Sequence, residues 1–382
     1  MLHLWSSPRK RGTIRRALSM WHDLRSLSVA VVMGPRFRGD DSGKAVRLAL
    51  LAVGLLAGAA TVSRAAKAAD FYQGKQITIV VGFSTGGTYD VTARLWSRYL
   101  GKHLAGNPSV IVRNMPGSGS LVATNHLYHA APKDGTTLAV IGGGTVLEPL
   151  LGNQQAKYDG RRFNWIGGRS RDNFLCAVWH TVPVQTMQDV AKREIVVGST
   201  GPGSRTLSYP KALNELIGTK FKIVTGYPGG NEITLALERG EVEGYCGWAV
   251  GSIMQRAPQW LKDGTVRPLA QFTLSKPDLP NVPLATDLPP TQIGKQAIEL
   301  LAADSVLAWP LLAPQDLPAE RVRVLREAFN GMMKDPELIA EAAKQGLEID
   351  PVSGEEMQAL VDRLHTAAPE VVELVKKIVA GH

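Results

Sequence analysis

The feature that most constrains this chain is a recurring unit: a short apolar run, then a glycine-rich turn, then a helical pattern. "QITIVV" (residues 76–81) leads into "GFSTGG" (82–87), residues 109–113 into Pro116-Gly117-Ser118-Gly119, and residues 137–141 into Gly142-Gly143-Gly144-Thr145. After a middle section, residues 194–197 precede Gly198-Ser199-Thr200-Gly201-Pro202-Gly203, and residues 221–224 precede Gly226-Tyr227-Pro228-Gly229-Gly230. Strands that alternate with helices build mostly parallel sheets covered on both faces, so the expected class is α/β. At 382 residues the chain is long enough for two domains.

The first helix is read from Val91, Leu95, Tyr99 and Lys102-His103 on successive turns, widened by Leu100 and Leu104. Gly and Pro interrupt "KPDLPNVPLATDLPP" (276–290) too heavily for regular structure, which marks a connector. Beyond it, residues 305–312 read as a strand, and residues 318–333, 335–346 and 353–379 as three helices, the last opened by a capping box of Ser353 and Glu356.

The formal charge of +9 invites a nucleic-acid or membrane reading until its location is considered. Residues 1–69 hold twelve Lys and Arg against Asp23, Asp40 and Asp41, so the remainder of the chain is neutral, which argues against nucleic acid. Lys44 and Arg47 precede an uninterrupted apolar run over residues 48–60, and Ala66-Lys67-Ala68 follows. That order is the one of a secretory signal peptide cleaved before Ala69, and the run is short for a bilayer span. Residues 1–32 are then surplus, with translation expected to start near Met33 and residues 1–68 absent from the mature protein. Cys176 and Cys246 enter an oxidising compartment, where a bridge and two buried thiols are both open to them.

Gly82-Phe83-Ser84-Thr85-Gly86 fits G-x-S-x-G, the nucleophile elbow of serine hydrolases. An exported hydrolase using Ser84 is one alternative. Yet no strands precede this turn to build the hydrolase sheet, and His103, His126, His129, His180, His365 and His382 sit in no recognisable motif. The other reading is a cradle: a glycine-rich turn between a parallel strand and a helix presents backbone N–H groups to an anion, and crevices at the carboxyl ends of strands are where open α/β sheets bind ligands. Nucleotide fingerprints are missing, and His126 with His129 lacks a third metal ligand. No catalytic residue, cofactor or metal is expected. Trp248, just beyond the strand expected in "EVEGYCGW", and Trp260 and Trp309 are candidates to stack on a ligand or to fill a core. Of Arg169, Arg171 and Arg205, the first two read as solvated and Arg205, after a strand, as the one to meet a carboxylate.

"QITIVVGFSTGGTYDVTARLW", "VIVRNMPGSGSLVATNHLYHAAPKDGTTLAVIGGGT", "VVGSTGPGS" and "LLAPQDLPAERVRVLREAFNGMMKDPEL" resemble the Bug-type (TctC-like) receptors of tripartite tricarboxylate transporters over about residues 70–375. The resemblance implies a monomeric periplasmic binding protein of the two-lobed, type II-like Venus-flytrap kind, handing a small carboxylate ligand (an organic acid, an aromatic acid or an amino acid) to a membrane permease; a sensory receptor of the same shape is a third possibility. It also implies one lobe from residues 69–172 with 281–382, and a second from 173–280. Carried over residue by residue, the ligand is expected at Phe83, Ser84, Thr85, Gly86, Gly87, Thr88 and Asp90, with Gly144 and Thr145, in the first lobe. In the second it is expected at Ser199, Thr200, Gly201, Gly203, Ser204 and Arg205, at Tyr227, Gly229, Gly230 and Asn231, and at Trp248. The chain departs from the family pattern at Gly82, Ser84, Pro228 and around Cys246-Gly247-Trp248, mostly in the second lobe, where a bulky Trp248 suits an aromatic or apolar carboxylate.

Overall fold

The computed structural model describes residues 70–275 and 277–380. The signal segment and the start near Met33 lie outside them. In chain order the strands are β1 (Gln76–Val81), β2 (Ser109–Asn114), β3 (Thr137–Val140), β4 (Asn164–Gly168), β5 (Phe174–Trp179), β6 (Ile195–Ser199), β7 (Phe221–Thr225), β8 (Gly244–Ala249), β9 (Val266–Phe272), β10 (Pro310–Ala313) and β11 (Val352–Ser353). The α-helices are α1 (Thr88–Tyr99), α2 (Leu121–His129), α3 (Met187–Val190), α4 (Arg205–Ile217), α5 (Gly230–Glu238), α6 (Val250–Arg256), α7 (Gln292–Ala302), α8 (Ala319–Met332), α9 (Pro336–Lys344), α10 (Gly354–Leu364) and α11 (Pro369–Ala380). Among the described residues no helix is long and apolar enough to cross a membrane.

Two sheets result. One runs β11-β4-β10-β3-β1-β2 and the other β7-β6-β8-β5-β9. β1 lies between β2 and β3 in parallel, with Thr78 opposite Ile111 and Thr137, and β6 is parallel to β7 and β8. All of these but β8, which runs directly into the helix at Val250, are followed by glycine turns. Antiparallel pairing enters at β10 and β11 in the first sheet and at β5 with β8 and β9 in the second. β3, β8 and β10 lie in the middle of their sheets and are buried along their whole length.

The chain passes from the first sheet to the second after β4 and returns after β9, and the two passages are tied together. β5 and β9 are neighbours with Phe174 opposite Phe272. Fully buried Ser305 accepts a hydrogen bond from the amide of Asp172 at its carbonyl (2.9 Å) and one from the amide of Leu274 at its hydroxyl (3.0 Å). Cys176 and Cys246 face each other on β5 and β8, Cα atoms 3.8 Å apart, and form a disulfide.

Several local expectations change. α1 ends at Tyr99, a 3-10 turn takes over Leu100–His103, and the buried stripe runs through Thr92, Leu95 and Trp96, leaving Val91 half-buried and Lys102 exposed. Only Pro310–Ala313 of the stretch 305–312 is strand, because Ala303–Ser305 forms a 3-10 turn where Ser305 ties the passages. The single helix read over 353–379 is α10 and α11, broken before Pro369, which has no N–H to continue the ladder and disfavours helix in the residue before it. Helix α7 follows the connector, its start capped by Thr291, whose Oγ1 accepts from the amide of Gly294 at 3.2 Å. His126 and His129 do share α2, but the His129 ring contacts the carbonyl oxygen of Lys157, and the described residues hold no group of three that could take a metal.

Candidate functional site

The glycine turns after β1, β6 and β7 open directly into helices. The N-cap residues of α1, α4 and α5 are Gly87, Ser204 and Gly229, and none of them makes a side-chain cap. A helix start left uncapped presents unsatisfied N–H groups and about half a positive charge. All three N-cap residues line one cavity of about 220 Å³.

Six hydrogen-bonding contacts show how closely the two sheets approach around it. The amide of Ser84 donates to the carbonyl of Pro228 (3.2 Å) and its hydroxyl to Glu232 Oε2 (2.9 Å). The amide of Gly119 donates to the carbonyl of Thr200 (2.9 Å). Thr88 Oγ1 lies 2.7 Å from Gln255 Oε1 and 2.9 Å from Ser252 Oγ. Arg205, at the start of α4, donates from one terminal nitrogen to Asp304 Oδ2 at 2.8 Å.

Of the expected ligand residues, Phe83, Ser84, Gly86, Gly87, Thr88, Gly144, Thr200, Gly203, Ser204, Arg205, Gly229, Gly230, Asn231 and Trp248 line the cavity. Six do not, each for a local reason. Asp90 braces the first turn: its carboxylate accepts from the Gly86 amide (2.8 Å), Arg94 Nε (2.8 Å) and Asn114 Nδ2 (2.9 Å). Burial raises its pKa, but those hydrogen bonds outweigh burial and hold it below the usual carboxylate range. Thr85 turns outward, Oγ1 3.2 Å from Asn114 Oδ1. Thr145 is buried, its hydroxyl donating to the carbonyl of Gly142 at 2.7 Å. Ser199 and Gly201 shape their own loop, the Gly201 amide donating to Ser199 Oγ at 3.1 Å. Tyr227 is half-buried against the apolar cluster behind the second sheet.

Tyr89, inside the expected stretch from Phe83 to Asp90, lines the cavity as well, and residues that sequence reading did not place here include Gly119, Tyr245, Ser252, Gln255, Arg256 and Asp304. Trp309, raised as a stacking candidate, lines the cavity, and Trp260 stands behind Trp248 with ring centroids 6.2 Å apart. Tyr89 and Gly119 sit inside quoted motifs; Asp304 and Gln255 carry no local signal.

The electrostatics centre on Arg205. Its Nε donates to the carbonyl of Gly247 (3.0 Å), both terminal nitrogens lie 3.2 Å from the Tyr89 hydroxyl, and its guanidinium covers the Phe174 ring at 3.7 Å. Burial works to lower the Arg205 pKa, and Tyr89, Asp304 and Tyr209 more than reverse it, so Arg205 stays charged. Burial pushes the Tyr89 hydroxyl up to about 12, so it stays protonated.

Behind Trp309 lies a second acid. Asp172 accepts from Trp309 Nε1 (3.1 Å) and from the amide of Gly251 (3.2 Å). Arg169, expected at the surface, is 1% exposed and lies over the Trp309 ring at 4.6 Å, because the passage between sheets carries it inward. Burial pulls its pKa down to about 10. Arg171 does reach the surface, beside Glu356 and Asp350. Burial raises the Asp172 carboxyl to about 6, above the ordinary 3.8, despite Arg169. The folded state therefore holds this proton more tightly than the unfolded chain. Its contribution to stability is complete below about pH 4 and is lost as pH rises through 6, a change of about 3 kcal/mol by linkage. Urea unfolding from pH 4 to 7 should show that decline in the wild type and a flatter profile in Asp172→Asn; identical slopes would refute the assignment.

The sequence matches the family described as "Tripartite tricarboxylate transporter family receptor" over residues 92–374. It is 27% identical to a UPF0065 protein of Bordetella bronchiseptica over 325 residues, covering 82% of this chain and 89% of that one. A UPF0065 protein of Agrobacterium vitis is 27% identical over 289 residues, covering 74% and 78%. Among solved structures, the periplasmic binding protein BugD superposes with a TM-score of 0.63 at 21% identity, covering 80% of this chain and 98% of that one. MatC from Rhodopseudomonas palustris, with bound malate, gives 0.62 at 21% identity over 79% and 99%, and an R. palustris protein with adipate gives 0.61 at 22% over 80% and 98%. The architecture is the two-lobed α/β fold of periplasmic binding proteins. With three quarters of its length inside the match, the chain belongs to the family of tripartite tricarboxylate transporter receptors.

Proposed function

We propose that this protein is an exported, non-catalytic receptor that closes two lobes over a small carboxylate and presents it to a membrane permease. Its lobes are residues 69–172 with 281–382, and residues 173–280. The observation that carries this is the convergence of three uncapped helix starts, at Gly87, Ser204 and Gly229, on one cavity between the sheets. Their N–H groups and dipoles suit an anion and do nothing for bond cleavage without a base. Ser84 Oγ is engaged with Glu232, and among the described residues no histidine lines the cavity. A loop that binds through backbone amides tolerates side-chain change, so Ser84→Ala should leave binding largely intact. Malate in MatC and adipate in the R. palustris protein support a carboxylate as the ligand class.

Thermal unfolding against a panel of carboxylates tests this. A ligand at a hundred times its dissociation constant stabilises the native state by about 2.7 kcal/mol, worth several degrees. No shift with any carboxylate, or ester turnover that disappears in Ser84→Ala, would overturn the proposal.

A further inference from the structure

We propose that the cavity selects a monocarboxylate carried on a flat aromatic body, the ring lying between two aromatic walls and the carboxylate at the helix starts beside Tyr89. This rests on the receptor reading above and narrows it to a ligand class.

The walls come from different sheets. On the first-sheet side Phe83 and Tyr89 are stacked with centroids 4.4 Å apart, and Trp309 follows 4.7 Å from Tyr89. From β8 of the second sheet, Tyr245 and Trp248 are nearly parallel, 5.0 Å apart with 14° between their planes. All five line the cavity, and each is less than a tenth exposed. Polar handles hold two of them in place, Trp309 through Asp172 and Tyr89 through Arg205. Aromatic rings favour offset-stacked or edge-on partners at such spacings. A cavity of roughly 150 Å³ already takes benzene, so about 220 Å³ has room for one ring and its carboxylate.

Charge limits the ligand to one carboxylate. Among the described residues the cations lining the cavity are Arg205 and Arg256. Arg205 is paired with Asp304, and Arg256 is bound to Glu238 Oε1 through Nε (3.0 Å) and a terminal nitrogen (2.8 Å). Asp304 itself lines the cavity, 3% exposed at its side chain, and Glu232 sits beside Ser84. A second carboxylate would be desolvated among acids and arginines already paired, which is costly. The first is served by the helix starts and by Tyr89. That hydroxyl oxygen accepts from two Arg205 N–H groups, which leaves its proton to donate, and no described residue accepts it.

The test is calorimetric titration of the whole protein with benzoate, 4-hydroxybenzoate and phenylacetate against malate, adipate and citrate. At least one aromatic acid is expected to bind tenfold or more tightly than every aliphatic one. Tyr89→Phe should weaken aromatic binding about tenfold at a thermal midpoint near that of the wild type, and Trp248→Ala should weaken it as much while also lowering the midpoint, because the ring it removes is buried and packed on Tyr245. Asp304→Asn leaves Arg205 without its anion and should narrow the gap by admitting malate and adipate; should that variant not fold, the Tyr89 and Trp248 variants decide. Tighter binding of a di- or tricarboxylate to the wild type would overturn the selection and leave the receptor reading standing. Failure of all six acids to bind would overturn both.

Discussion

Gly119→Val is expected to weaken ligand binding at least a hundredfold in a protein that still folds. A Cβ at this position would stand 2.6 Å from the Pro202 carbonyl oxygen and 2.8 Å from the Ser204 amide nitrogen. Both are backbone atoms of the loop after β6, across the gap from the first sheet, so neither can swing aside. With the sheets apart the side chain meets solvent, and what remains is the positive φ of 62°, a strain of about 1–2 kcal/mol. The closed state is therefore penalised far more than the open one, and ligand affinity falls with the population of the closed state. Titration beside thermal unfolding separates the two effects. Binding at the wild-type level in a folded Gly119→Val would show that closure onto this loop is not needed.

The second large effect belongs to the disulfide. Cys176 and Cys246 are 70 residues apart in sequence and buried between β5 and β8. A crosslink of that span removes about 4 kcal/mol of chain entropy from the unfolded state. The double substitution Cys176→Ala with Cys246→Ala should lower unfolding free energy by about that amount, and added reductant should reproduce it in the wild type once the chain is opened. Denaturation midpoints that coincide with and without the bridge would contradict this. Gly247 follows Cys246 and its carbonyl accepts from Arg205 Nε, so the same variant also bears on how firmly the guanidinium is held.

What could be read from the residues, and what could not, divides along a physical line. Turns such as Gly86-Gly87 and Gly229-Gly230 announce themselves because glycine between an apolar run and a helical pattern marks where the backbone leaves a strand, turns tightly and enters a helix. Thr88, Ser204 and Asn231 come with them as helix-start neighbours. Asp90 was legible as a residue of the first turn but not as its brace, since Asn114 and Arg94 reach it from β2 and from one helical turn on. Asp304, Gln255 and Tyr245 arrive at the cavity from segments far along the chain, and no spacing or period relates them to Gly87. Whether Cys176 meets Cys246 depends on the β5–β8 register, which the alternation of apolar residues does not specify. Arg169 reads as surface because arginine usually is, and only the path of the chain between the sheets takes it inside.

The way the two sheets are joined has a mechanical consequence. Two separate linkers would leave the halves free to bend, twist and slide independently. Here the outgoing and returning segments are neighbouring strands, Phe174 beside Phe272, and Ser305 clasps both. These three points, together with α11 packed against α4, where Lys211 Nζ donates to the carbonyl of Val379, resist shear and twist between the sheets and leave bending across the shared strands as the easiest relative motion.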